Sequence, residues 1–142
     1  MTADKDNLER FINAQQQDYM TALAEVKGGR KQSHWMWYIF PQIQGLGFSD
    51  TARFYAIKNL QEAAAYLAHP ILGARIIEVC KALLGHENIS ARQIFGNPDD
   101  LKLRSSMTLF AEVTGAHPVF EQVLKKFYEG QKDSHTLALL DR

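Results

Sequence analysis

Apolar positions recur at three- and four-residue intervals along most of the chain, the spacing of helices that each bury one face. Leu8, Phe11, Ile12, Tyr19, Ala22, Leu23 and Val26 fall on one stripe when placed at about 100° per residue, which predicts a helix over residues 7–27. Asp6 or Asn7 can cap it and Gly28-Gly29 can end it. Gln15 falls inside that stripe, and an unpaired buried amide costs about 1–3 kcal/mol, so a partner is expected for it. The next segment breaks the pattern. From His34 to Phe40 the sequence HWMWYIF is apolar on every side of a helical wheel, so it is either a short helix buried on most sides or a strand. The helix is favoured, because no other stretch offers a strand partner. Pro41 stops it, and QIQGLGF follows as a loop with glycines that permit close approach.

Periodicity then resumes. Ser49 or Asp50 can cap a short helix through Thr51–Ile57. Asn59 and Glu62 have the spacing of a capping box for a helix that carries Leu60, Ala63, Ala64 and Leu67 inward and stops near His69-Pro70. A helix over 70–84 buries Leu72, Ile76, Val79, Cys80 and Leu83 and ends at Gly85. Ser90 opens a short helical turn closed by Gly96. Asn97-Pro98-Asp99-Asp100 then reads as cap, first-turn proline and dipole-favoured acids, for a helix reaching about Thr114. His117-Pro118 opens another that ends at Gly130, and a last helix runs from about Asp133. No strand-type alternation of any length appears. The expected fold is all-α, roughly seven or eight helices with short connections, in a single domain over 1–142 whose first six residues form a polar, disordered lead.

Composition narrows the class of protein. A chain of 142 residues is one domain by size, able to bury about 68% of the surface its unfolded form exposes. Sixteen basic residues against sixteen acidic ones leave no net charge, which argues against nonspecific nucleic-acid or anionic-membrane binding. The lone Cys80 rules out an internal disulfide and fits a reducing compartment. The N-terminus lacks the apolar core of a signal peptide, and no apolar run approaches the roughly 20 residues that span a bilayer. A cytoplasmic location is expected. Nothing in the pattern specifies an oligomeric state.

Candidate chemistry concentrates in two places. Trp35, Trp37 and Tyr38 can stack on a planar ligand, with Arg30 and Lys31 just before them as phosphate partners. The plainer alternative is that these rings are core. In DDLKLRSSMTLF, Leu103, Met107, Phe110 and Val113 form the buried stripe, yet Asp99 and Ser106 fall on it and Lys102 on its flank. Convergence of these three at a helix N-terminus would make an anion site. Against it stands simple capping with an Asp99–Lys102 ion pair. His34, His69, His86, His117 and His135 show no metal-ligand spacing, so no metal is expected. His69 and His117 each precede a proline at a helix start and read as caps. His34 alone has a setting suggestive of chemistry, against the plainer alternative of a hydrogen-bonded packing residue beside two tryptophans. P-loop, G-x-G-x-x-G, G-x-S-x-G and C-x-x-C signatures are missing, and no cofactor is implied.

Taken in order, SHWMWYIFPQIQGLG, EAAAYLAHPILGARI and IFGNPDDLKLRSSMTLF closely resemble the mostly bacterial family of unknown function numbered 1810, over nearly the whole chain. Its members are often called calpastatin-like, although inhibitors of that kind are long, disordered and polar, unlike this apolar-periodic chain. The resemblance implies a small all-helical domain and supplies no reaction. Its pattern falls here on Lys31, Ser33, His34, Trp35, Trp37, Phe40, Pro41, Gln42, Gly45 and Gly47, on Tyr55, Glu62, Tyr66, His69, Pro70, Gly73 and Arg75, and on Phe95, Gly96, Asp99, Lys102, Ser105 and Ser106.

Two functions are therefore expected as alternatives. The first is a small-molecule-binding domain, with or without enzymatic activity, for an anionic ligand resembling a nucleotide or ADP-ribose. In it Trp35 and Trp37 form a stacking wall, Lys31 and Lys102 hold the anion, Gln42, Ser105 and Ser106 add contacts, and His34 and Asp99 are the acid/base pair. The second is a non-catalytic helical interaction module whose aromatic segment is simply core.

Overall fold

A computed structural model describes residues 7–141; the expected lead over 1–6 lies outside them. It contains nine helices among those residues: α1 (Glu9–Lys27), α2 (Met36–Ile39), α3 (Asp50–Tyr55), α4 (Leu60–Ala68), α5 (Leu72–Leu84), α6 (Ala91–Phe95), α7 (Asp99–Ala111), α8 (Val119–Tyr128) and α9 (Ser134–Leu140). Nine is one or two more than expected, and three of them, α2, α3 and α6, are short, none longer than six residues. No strand forms among the described residues. A single parallel bridge joins Ile43 to Ile57, through Gln44 N–H to Ile57 O and Ile57 N–H to Gln42 O, each 2.8 Å.

Helix α5 is central, packing against α1, α4 and α8, while α7 lies along α8 and also meets α4, α6 and α9. Tyr66 of α4, Phe110 of α7 and Phe120 of α8 stack in sequence, with ring centroids 5.3 and 5.6 Å apart. The turn from α4 into α5 is tight enough to demand glycine: a Cβ at Gly73 would meet the Leu67 carbonyl oxygen at 2.1 Å. Gln15 is buried and has its expected partners, donating to Tyr38 O at 2.8 Å and to the Tyr66 hydroxyl at 3.0 Å. That pair of bonds ties α1 to both α2 and α4.

Caps set most helix starts. Ser49, Asn59 and Asp133 each accept from the backbone amide three residues on, and Ser90 forms a full capping box with Gln93. The histidines before proline behave as read: His69 Nδ1 accepts from the Ile71 and Leu72 amides, and His117 Nδ1 from the Val119 amide. The Asn59 box is only half formed. Glu62 accepts from the Lys58 amide and from Arg10 instead of the Asn59 amide, because the buried Arg10 guanidinium competes for the carboxylate. The start of α7 also differs. The Asn97–Pro98 peptide is cis, Pro98 occupies the cap position, and Asn97 donates through its amide to Asp100 Oδ1 at 3.2 Å.

Candidate functional site

The segment between α1 and α2 is held by one carboxylate. Glu25 accepts from Ser33 Oγ (2.6 Å), the Gln32 amide (2.8 Å), the Ser33 amide (3.0 Å) and Trp35 Nε1 (2.9 Å). Burial works to raise its pKa, and these hydrogen bonds outweigh that, lowering it from 4.5 to about 2. Because the folded value is the depressed one, this carboxylate stabilises the fold fully above about pH 4.5, and the contribution is lost as pH falls toward about 2. Glu25→Gln is thus expected to flatten the acid limb of the stability curve in that window, read from thermal melts between about pH 2 and pH 6. An unchanged acid limb would show that the clamp is not formed.

The clamp places Lys31 and Trp35. The Lys31 amide donates to Ile94 O at 2.7 Å, and its ammonium lies 5.2 Å above the Trp35 ring. Trp35 itself is 1% exposed and packs against Phe40 and Phe95, each 6.2 Å away by ring centroid. It is therefore the floor beneath Lys31 and cannot stack on a ligand, because its faces are already filled by other rings. Trp37, by contrast, is partly exposed. Gly47 allows the following loop to reach the Trp37 indole, since a Cβ there would meet Ala52 Cβ at 2.6 Å and the indole at 3.3 Å.

Helix α7 brings the opposite wall. Asp99 accepts from Lys31 Nζ and from Lys102 Nζ, one on each carboxylate oxygen, both at 3.0 Å. Lys102 Nζ also lies 4.3 Å over the Trp37 ring. Lys31, His34, Trp37, Asp99 and Lys102 line one cavity of about 100 Å³, so residues far apart in sequence border one space. The charge balance there is two ammoniums to one carboxylate. Burial alone would raise the Asp99 pKa; hydrogen bonds from Lys31 and Lys102 outweigh it and hold the group below its ordinary 3.8. At neutral pH Asp99 is an anion clamped between cations, better suited to positioning the lysines than to donating a proton. His34 is exposed at the cavity edge.

The helix N-terminus contributes less than its sequence implies. Gly96 O accepts from the Asp100 amide, and Pro98 O from the amides of Leu101 and Lys102, so these donors are already occupied. Ser106 does not converge with Asp99 and Lys102 either. It is wholly buried on the core side of α7, its Oγ has no hydrogen-bond partner, and it lines neither this cavity nor the adjoining groove. Ser105 and Gln42 lie in that groove, which shares Lys102 with the first cavity. Asp133 and His135 join them from the start of α9. Neither was a site residue on sequence grounds: the Asp133 cap is readable locally, but its bond to Ser105 across the fold is not.

A larger cavity of about 560 Å³ lies elsewhere, between Ile43, Leu60, Leu139 and Leu140, with Lys58 as its one charged residue. It holds no acid or imidazole, so the chemistry points to the Lys31–Asp99–Lys102 cleft. Among the described residues, no group of three or more His, Cys, Asp or Glu side chains is arranged to hold a metal, and no helix is long and apolar enough to cross a membrane.

No curated protein matches the chain. Among solved structures it is similar to the conserved hypothetical protein Rv1873 from Mycobacterium tuberculosis, with 47% identity over 98% of this chain and 99% of that one, and a TM-score of 0.96. A family described as "Protein of unknown function (DUF1810)" matches residues 5–140, and the chain belongs to that family.

Proposed function

We propose that this protein binds a small anionic ligand, of the nucleotide or ADP-ribose-like kind, in the cleft between Lys31–Gln42 and the start of α7. The observation that carries the reading is the charge arrangement: two lysines share one carboxylate at 3.0 Å each, beside an indole face and a histidine. Each ammonium has three donors, and Asp99 takes only one from each. The Lys31 side chain is 9% exposed, so its remaining donors are poorly hydrated and an incoming oxyanion supplies what water does not. Asp99 prevents the two cations from repelling each other and fixes their spacing. Trp37, partly exposed with Lys102 Nζ 4.3 Å over its ring, offers an aromatic surface at the cleft where a ligand would displace or share that cation. His34 is the acid/base candidate of the cleft, since its ring makes no hydrogen bond among the described residues.

A thermal-shift panel of nucleotides, ADP-ribose derivatives and phosphorylated metabolites tests this directly. A ligand at 100 times its dissociation constant stabilises the fold by about 2.7 kcal/mol. Lys102→Ala is expected to weaken a hit by roughly 10- to 100-fold, the worth of about 1.5–3 kcal/mol for a charged hydrogen bond. Trp37→Ala should weaken it as well while leaving the fold intact. A panel without a hit on the folded protein would discard the reading in favour of an interaction module, for which the exposed Phe48 and Phe54 (74% and 55%) are the first surface to probe.

A further inference from the structure

The donors of the two lysines can be counted. An ammonium carries three N–H groups in fixed tetrahedral directions. Lys31 gives one to Asp99 Oδ2 and Lys102 one to Asp99 Oδ1, both at 3.0 Å. Each ammonium also sits over an indole, which takes a second direction: Lys31 Nζ is 5.2 Å from the Trp35 ring and Lys102 Nζ 4.3 Å from the Trp37 ring. One donor per lysine remains. The start of α7 adds none from Asp100, Leu101 or Lys102, whose amides are bonded to the Gly96 and Pro98 carbonyls.

Asp99 itself shows what fits such a pair. The two ammoniums bridge its two oxygens, one each, so they are already spaced for an O–C–O group. A second carboxylate, or the two unsubstituted oxygens of a phosphodiester, can bridge the remaining donors as a counterpart of Asp99. A phosphomonoester brings a third oxygen, for which neither lysine has a donor left. Charge leads to the same class. Two ammoniums and one carboxylate leave one net positive charge, on side chains that are 9%, 25% and 19% exposed for Lys31, Lys102 and Asp99. Ligand sites usually measure roughly 300–1,000 Å³, so the cavity of about 100 Å³ takes one such group and not a whole ligand. A singly charged group brings the cluster to neutrality. For a doubly charged one the attraction doubles, while the cost of leaving water grows with the square of the charge, about fourfold.

We propose that the cleft selects a singly charged anion with two free oxygens, a phosphodiester or a carboxylate, over a doubly charged phosphomonoester, and that Asp99 sets this choice. The inference rests on the anion-binding reading above and narrows it to the class of group bound. Calorimetric titration of the full chain at about pH 8 and low ionic strength, with AMP, AMP methyl ester, 5′-O-carboxymethyladenosine and adenosine, separates the two. The probes share one nucleoside and differ at its 5′ end, and AMP is doubly charged at that pH because its second pKa is about 6. The methyl ester should bind about tenfold or more tightly than AMP. Asp99→Asn, which adds one net positive charge and keeps an oxygen for one lysine, should move that ratio about tenfold toward AMP. Lys102→Ala should weaken the three anions and leave adenosine unchanged. Whichever of the methyl ester and the carboxymethyl ether binds more tightly identifies the source of the two oxygens, and both falling to the level of AMP overturns the match. AMP binding as tightly as the methyl ester overturns the charge selection while the anion site stands, and gives the third oxygen to His34 at the cavity edge. A ratio unmoved in folded Asp99→Asn overturns the role of Asp99, and the wild-type comparison holds whether or not that variant folds. Three anions binding no better than adenosine remove the anion site and its selectivity together.

Discussion

Trp35→Ala is expected to lower the unfolding free energy by about 3–5 kcal/mol, a large share of the roughly 5–15 kcal/mol available to a domain of this kind. The ring is 1% exposed and sits among Phe40, Phe95 and the Lys31 ammonium, so its removal opens a cavity that the short α2 cannot close by collapsing. The truncation also takes away Nε1, one of the four donors that hold Glu25 ionised. Denaturant unfolding measures the loss as a lowered midpoint. The comparison that gives it meaning is Trp37→Ala, where a partly exposed ring is removed and the cost should stay near 1 kcal/mol. Equal losses for the two tryptophans would mean that the division between structural floor and stacking face is wrong.

Arg10→Met should be comparably severe, at about 3–5 kcal/mol, because it strands a buried charge. Arg10 and Glu62 meet at 3.5 Å with side chains 6% and 2% exposed. The guanidinium also donates to Phe54 O and Ala56 O, each at 2.8 Å, and so ties α1 to the end of α3 as well as to Glu62 of α4. Methionine leaves those carbonyls and the Glu62 carboxylate without their cation. Most of the penalty comes from the unpaired carboxylate, since a buried pair replaced as a whole is often close to neutral. The double variant Arg10→Met/Glu62→Gln is therefore expected to recover a substantial part of the loss in denaturant unfolding. No recovery would assign the effect to the lost carbonyl bonds of Arg10.

Neither effect can be anticipated from the hydrophobic pattern, and the reason separates two kinds of information. The helices were legible because each is specified by residues within a turn or two of one another. The stripe from Leu8 to Val26, the caps at Ser49 and Asn59, and the histidines before Pro70 and Pro118 all act over three or four positions. Short segments were less well bounded: α2 occupies only Met36–Ile39 of a longer apolar run, since tertiary contacts and not periodicity decide where one turn begins and ends.

The candidate site was legible in part. Lys31, His34, Trp37, Asp99 and Lys102 do share one cavity, and the i,i+3 spacing of Asp99 and Lys102 made their contact readable on α7 alone. The wheel could not distinguish Trp35 from Trp37, because a segment apolar all round carries no direction to tell floor from face. It placed Ser106 with Asp99 on one stripe without showing that this stripe turns from solvent into core along its length. It also credited α7 with open amides that the Gly96 and Pro98 carbonyls already take.

By itself, then, the sequence determined an all-helical chain, where most of its helices start and stop, and which segments carry its polar chemistry. The tertiary structure alone decided the pairings: Glu25 with Trp35, Arg10 with Glu62, Lys31 with Asp99, and Ser105 with Asp133. Helix periodicity and capping are written in neighbouring residues. A charge held between two helices depends on how those helices pack, and packing is settled by the shape of the whole core.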